Sequence, residues 1–440
     1  MLCVLGLLVA ATAAAPAESA SASPSPSAAS SPYAFDPDAR NVAGAASTAG
    51  APVLAAGATY RDTIKPDSTL HYRVDLDATS SAYVSAVAVP KPGTKVAYGD
   101  KLEVSLQDRN GRECSSNQSE FGVSTDFPRP LAAYAYRTVG GPSSTCTGAG
   151  PYYVVVRRDG DSSSSPDPWG LELRHVSEPG LTKAGPTAPP ESWPSASPAP
   201  GTGAPEQAQG GTGFYDAGPL GASGTYTAWI RPGQTLFYRV PVDWGQQLFG
   251  SVDLASAPGP LPSAGGRGGL GLVDGALAVS LFNPALGFVE SANAPLYDGQ
   301  QKTTSLDPLP PVAYQNRFSY RSGVRDMRFA GWYYVRVSLN PKVGSAYGDR
   351  PYGITLRLDV TGKPGAAPAY AGPPGPFTTQ GGHPAAGGTG TPARSGGGDR
   401  AFDPGTRRLV GYAGIGAGTV LVLGLAGWTL AARRRAVRTR

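Results

Sequence analysis

The sequence predicts an all-β chain of two tandem β-sandwich domains, and three observations carry that reading. TLHYRVDLD (Thr69 to Asp77) recurs as TLFYRVPVD (Thr235 to Asp243), and both alternate apolar with polar residues at period two. Three further segments recur in the same order: LEVSL (Leu102 to Leu106) with LAVSL (Leu277 to Leu281), YYVVV (Tyr152 to Val156) with YYVRV (Tyr333 to Val337), and WGLELR (from Trp169) with YGITLR (from Tyr352). Four matches in order mark a domain duplication. Neither copy contains a convincing amphipathic helix, and 60 Gly and 44 Pro supply the turns between short strands while leaving part of the chain as linker.

From the N-terminus, Leu2 to Ala15 is apolar, too short to span a bilayer and of the length of a signal-peptide core. Small residues follow, so residues 1–17 read as a signal peptide. No Lys or Arg precedes the apolar run, the one element of a signal peptide that is missing. A Pro/Ser-rich segment (18–32) leads to the first domain (33–181). Residues 182–213 are a Pro/Gly/Ala/Thr-rich linker, 214–360 the second domain, and 361–408 a Pro/Gly-rich stalk; such composition buries too little apolar surface to fold by itself.

Residues 409–432 carry no charge and are long enough to cross a membrane as one helix. Arg433, Arg434, Arg435, Arg438 and Arg440 follow, a cluster that stays cytoplasmic under the positive-inside rule. The expected topology is single-pass, N-terminus extracellular and C-terminus cytoplasmic. With those five of the 37 basic residues set aside, basic and acidic residues balance at 32 each, so a pI near 9.0 does not point to nucleic acid. No LPxTG-like sequence precedes the span, so the chain is expected to stay in the membrane and not be transferred to the wall.

Within the domains, Leu70, Tyr72, Val74 and Leu76, and likewise Leu236, Tyr238, Val240 and Val242, are expected to face a core. The turns Lys65-Pro66-Asp67 and Arg231-Pro232-Gly233 precede these strands. Pro241 cannot donate to a ladder, which places it at a sheet edge or bulge. Once Cys3 leaves with the signal peptide, Cys114 and Cys146 are expected to form one disulfide, which stabilises by roughly 3 to 4 kcal/mol in the chain-entropy model.

Chemistry is sparse. Of three histidines, His71 aligns with Phe237 and His175 with Leu358, so neither recurs, and His383 lies in the stalk. HExxH, G-x-S-x-G and P-loop patterns are absent. No catalytic, cofactor-binding or metal-binding residue is assigned. Asp159, Asp161 and Asp167 could bind calcium, but their spacing fits an Asx-rich turn better.

The sharpest surface candidate is RFSYRSGVRDMRFAGW, where Arg317, Arg321, Arg325 and Arg328 interleave with Phe318, Tyr320 and Phe329. Arginine among aromatics is the composition of interface hot spots. The segment between the cysteines, with Phe121, Phe127, Arg129, Tyr134, Tyr136 and Arg137, is a second contact candidate.

The second copy's marks are Tyr238-Arg239-Val240, Leu277 to Leu281 before Asn283-Pro284, Ala330-Gly331-Trp332-Tyr333-Tyr334-Val335 and Tyr352-Gly353-Ile354. They resemble the bacterial pre-peptidase C-terminal (PPC) domain, which implies a secreted, jelly-roll-like sandwich. The whole chain is similar to streptomycete-type membrane-anchored cell-surface proteins, some of which carry a von Willebrand A domain. No peptidase domain accompanies the copies here. The expected function is therefore a non-enzymatic, membrane-anchored binding protein that presents PPC-like domains to another cell-envelope protein, as an accessory to a membrane or secretion complex. The alternatives are binding of wall glycan or teichoic polymer, a passive spacer, and a cryptic hydrolase.

Overall fold

A computed structural model describes residues 32–140, 146–199, 203–261, 271–292 and 295–380, all within one compact unit. The expected signal peptide, the membrane span, His383 and the arginine tail lie outside the described residues. Among the described residues no helix is long and apolar enough to cross a membrane.

The first copy runs β1 (Arg40–Asn41), β2 (Thr59–Ile64), β3 (Ser68–Leu76), β4 (Ser81–Val89), β5 (Lys101–Asp108), β6 (Glu113–Glu120), β7 (Leu131–Arg137), β8 (Gly150–Asp159) and β9 (Trp169–Glu178). These form sheet I, in the order β1-β2-β9-β4-β7, and sheet II, in the order β3-β8-β5-β6. The second copy runs β10 (Glu206–Gln207), β11 (Gly218–Pro219), β12 (Ser223–Ile230), β13 (Thr235–Val242), β14 (Gln247–Leu254), β15 (Leu277–Phe282), β16 (Phe288–Ala292), β17 (Lys302–Ser305), β18 (Gly331–Leu339) and β19 (Tyr352–Thr361). Its sheets are III, β11-β13-β18-β15-β16, and IV, β10-β12-β19-β14-β17.

Sheet IV repeats the strand order of sheet I, and sheet III that of sheet II with β11 added. The duplication legible in four segments thus extends to the whole topology. Finer features recur too: the Tyr60 hydroxyl accepts from Ala55 N and that of Tyr226 from Gly221 N, at 2.8 and 2.9 Å. The turn before each YRV strand holds its third residue at positive φ, 49° for Asp67 and 76° for Gly233. Aspartate tolerates that conformation and glycine adopts it without steric cost. Pro241 pairs with Trp332 of β18 but lies beyond the two-residue reach of β11, so its missing N–H costs no ladder bond.

Each copy is a sandwich. Tyr60, Val84 and Leu173 of sheet I meet Tyr72, Val104 and Val154 of sheet II in one core, and sheets III and IV enclose a second. The strands of sheet I and sheet III are also buried on their other faces. Val87 and Ala132 of sheet I pack on Phe237, Phe282 and Tyr334 of sheet III around Phe214. The molecule is therefore a four-sheet stack, II-I-III-IV, and the seam between copies is a third hydrophobic layer. This is why β4 (SAYVSAVAV) is buried at nearly every position instead of alternating.

Cys114 on edge strand β6 and Cys146, 32 residues on, are disulfide-bonded, tying that edge to the chain entering β8. Two segments read as linker and stalk take part in the fold. Leu181 bridges Tyr370 in antiparallel fashion and Thr182 N donates to Ala369 O, so the end of the first copy pairs with the chain leaving the second. Trp193 Nε1 donates to Pro308 O at 2.8 Å. Glu206–Gln207 (β10), also within the stretch read as linker, pairs in parallel with Tyr226–Thr227 of β12, so a stretch with little apolar surface of its own is ordered where its backbone groups find partners.

Candidate functional site

The arginine-aromatic loop leads from β17 to β18 through a 3-10 turn, Tyr314–Phe318, and a one-turn helix α1, Ser322–Arg325. Asn316 holds the loop closed from within, its buried side-chain amide donating to Pro311 O (2.9 Å) and Met327 O (2.7 Å). This folding turns two of the four arginines inward, onto the first copy.

Arg317 is stacked on Tyr314, its Cζ 3.4 Å from the ring centroid. It forms a two-pronged ion pair with Glu178 at the end of β9, at 2.7 and 3.0 Å. Both side chains are 1% exposed. The Tyr83 and Tyr370 hydroxyls each donate to the same carboxylate at 2.8 Å. Burial by itself would raise the Glu178 carboxyl, but the Arg317 charge and these hydrogen bonds hold it below the usual range. A buried carboxylate with four donors is fully satisfied, the condition under which a buried ion pair is tolerated.

Arg328 is also fully buried. Its Nη2 donates to the Tyr134 hydroxyl at 2.6 Å, and its Cζ lies 4.2 Å from the centroid of Tyr136. Tyr134 donates in turn to Asp326. Burial raises the Asp326 carboxyl and outweighs the charge of Arg328, 3.7 Å away. Beside this cluster Phe329 stacks on Phe377 at 4.3 Å and meets Tyr83 edge-on at 5.0 Å. Further along the seam the buried Arg336 binds Ser280 Oγ at 2.9 Å and the Pro130 carbonyl.

The remaining loop residues point elsewhere. Phe318 and Arg325 are half-buried, Tyr320 is 91% exposed, and Arg321 lies over Trp193 at 4.9 Å. The segment between the cysteines is likewise mostly internal: Phe121 packs on Trp169, Arg129 binds the carbonyls of Phe121 and Thr125, Arg137 is buried, and Tyr134 belongs to the seam. Its exposed tip is Val123. Asp159 pairs with Lys101, Asp161 accepts from Ser163 N, and Asp167 pairs with Lys91. Among the described residues no group of three His, Cys, Asp or Glu side chains is placed to hold a metal ion.

A cleft of about 360 Å³ opens where the linker and the departing chain meet, between Leu181, Lys183, Trp244, Val312, Tyr314 and the segment 365–369. Its walls are mainly apolar, and it adjoins the Arg317 end of the seam through Tyr314.

His71 Nδ1 lies 3.3 Å from Ala45 O, and the buried His175 Nδ1 lies 2.9 Å from Leu54 O. Burial pushes the His175 pKa down, against the raising effect of the Leu54 carbonyl. With its folded pKa depressed below the ordinary value near 6.5, the unfolded chain binds the extra proton first, so stability falls as pH drops from 7 through 6 to 5. His175→Leu, which writes in the second copy's residue, is expected to flatten that part of a Tm-against-pH curve. An unchanged slope would place the acid sensitivity in other groups.

Fold and seam together define a tandem β-sandwich protein whose copies are joined by a buried, aromatic-lined ion-pair layer. No protein-family model matches the chain, and no curated protein matches it. Among solved structures, that of the infectious bursal disease virus Gx strain is 9% identical, with 71% of this chain and 72% of that chain covered and a TM-score of 0.23. Tripeptidyl peptidase 2 is 9% identical over 70% of this chain and 24% of that one, with a TM-score of 0.20. The CUB1-EGF-CUB2 domain of human MASP-1/3 is 7% identical over 68% and 99%, with a TM-score of 0.17.

Proposed function

We propose that the chain is a non-enzymatic binding protein, exported and held by one C-terminal span, that presents its two copies as a single body to another protein of the cell envelope. The observation that carries this reading is the seam. Arg317, Arg328 and their partners join copy to copy, so the body has fixed outer surfaces on which exposed tips such as Tyr320 and Val123 can be held ready for a partner. Preset geometry lowers the ordering cost of binding. The Cys114–Cys146 bond accords with an oxidising, extracytoplasmic setting. The apolar segments 2–15 and 409–432 supply export and anchorage, and the recurring segments support a PPC-like ancestry of each copy.

The test is photo-cross-linking in living cells, with the reactive residue at Tyr320, at Val123, or at the seam residue Phe282. One recurrent envelope protein captured from the exposed positions but not from Phe282 is the expected result. Capture of nothing discrete from either exposed position would refute a protein partner at these tips.

A further inference from the structure

We propose that the outward face of sheet IV is a platform for a neutral, hydroxyl-rich glycan strand, centred on Trp229. This goes beyond the protein contact above and shares with it only the placing of the chain outside the membrane.

Sheet IV is the counterpart of sheet I, whose outward face is the seam; its own outward face is covered by Pro194 and Leu309 at the Gln247 end of β14, and the end that carries Trp229 has no such cover among the described residues. The open end has been rewritten. By ladder register Val87 corresponds to Asp253, Ala132 to Thr303 and Glu172 to Thr355. An apolar sheet has no complement there. What the face offers instead is a hydrogen-bonding rim: the exposed Gln301 and Thr303 and the partly exposed Arg357 are held in place by the buried Asp253 carboxylate, which accepts from Arg357 Nη1 at 2.6 Å, Thr303 Oγ1 at 2.8 Å and Gln301 Nε2 at 3.1 Å. Because Arg357 and Asp253 neutralise each other, the rim does not select a polyanion or a polycation. It suits uncharged hydroxyls, which donate and accept together.

Trp229 supplies the apolar half of the site. It is 64% exposed, and its partner across the ladder is Gly353. A Cβ placed on Gly353 would lie 3.9 Å from the indole Cζ3, so the ring leans over the glycine and turns much of its surface to solvent. In the first copy the space over the corresponding Gly170 is filled by Phe35, with Arg61 4.2 Å above that ring. The chain closes this spot in one copy and leaves an exposed aromatic in the other. A sugar ring has a C–H face that stacks on such a surface and a rim of hydroxyls that needs partners beside it. Register places Trp229 about 12 Å from Asp253, two strands across and two residues along, the reach of a short oligosaccharide.

The experiment is co-sedimentation of the full-length chain, in mild detergent, with insoluble purified peptidoglycan, both stripped of anionic polymers and with them retained. The expected result is binding to the stripped material that is unchanged up to about 0.5 M salt, where surface charge is screened. Trp229→Ala should weaken it about tenfold, with an unshifted unfolding midpoint because the side chain is exposed, whereas Trp229→Phe keeps most of the affinity. Absence of binding, equal retention of Trp229→Ala, or binding that needs the anionic polymers and is lost in salt would each overturn the proposal. Cross-links from Tyr320 that persist in any of those cases would leave the protein-binding reading standing.

Discussion

Replacing Arg317 by alanine is expected to destabilise the folded chain by about 3–5 kcal/mol, the cost of leaving one half of a buried pair uncompensated. Glu178 would keep its Tyr83 and Tyr370 hydroxyls but lose both charge-assisted bonds. The natural control is Lys342–Asp126, which also joins the two copies but with side chains 63% and 36% exposed. Lys342→Ala should cost no more than about 1 kcal/mol. Urea unfolding of both variants measures the contrast. Adding Glu178→Gln to Arg317→Ala should recover part of the loss, since the stranded charge is then gone. Equal small effects at both sites would mean that water reaches the Arg317 pair.

Phe377→Ala is the second large effect, about 3–5 kcal/mol, as for aromatic truncation in a core. The residue sits in a stretch, AGPPGPFTTQ, with the composition of a tether. Yet it stacks on Phe329 at 4.3 Å and lies edge-on to Tyr83 at 5.7 Å. Pro373→Ala, four residues earlier and exposed, should stay within about 0.5 kcal/mol. Thermal unfolding of the two variants decides whether the chain leaving β19 belongs to the body. If Phe377→Ala is as mild as Pro373→Ala, residues 361–380 act as a tether after all.

The all-β class and the duplication were legible because period-two alternation and Pro-led turns are local signals, present in each copy of the YRV strand. The disulfide was legible from cysteine parity. The seam was not, although its parts were in view. Arginine among aromatics marked the loop 317–329 as an interface, and composition has no means of saying that the partner of Arg317 and Arg328 is the other copy. A signal did exist in the differences between copies. Across sheets II and III, outward-facing Glu103, Gln107 and His71 become Ala278, Phe282 and Phe237. Across sheets I and IV the change runs the other way, Val87 to Asp253 and Tyr134 to Ser305. One apolar and one polar face per copy, of opposite kinds, is what a two-member stack with solvated ends requires. Phe377 escaped for a different reason: a single aromatic in a Pro/Gly run has no periodicity to reveal it.

Through the Arg317–Glu178 and Arg328 layer the two copies fold as one body. Differential scanning calorimetry of the full-length chain in mild detergent tests it most directly. A fused stack predicts a single unfolding transition for the two copies, with calorimetric and van't Hoff enthalpies in agreement, that splits in two in Arg317→Ala. Two separate transitions in the unaltered protein would mean that each sandwich melts without its neighbour and that the seam does not fuse them.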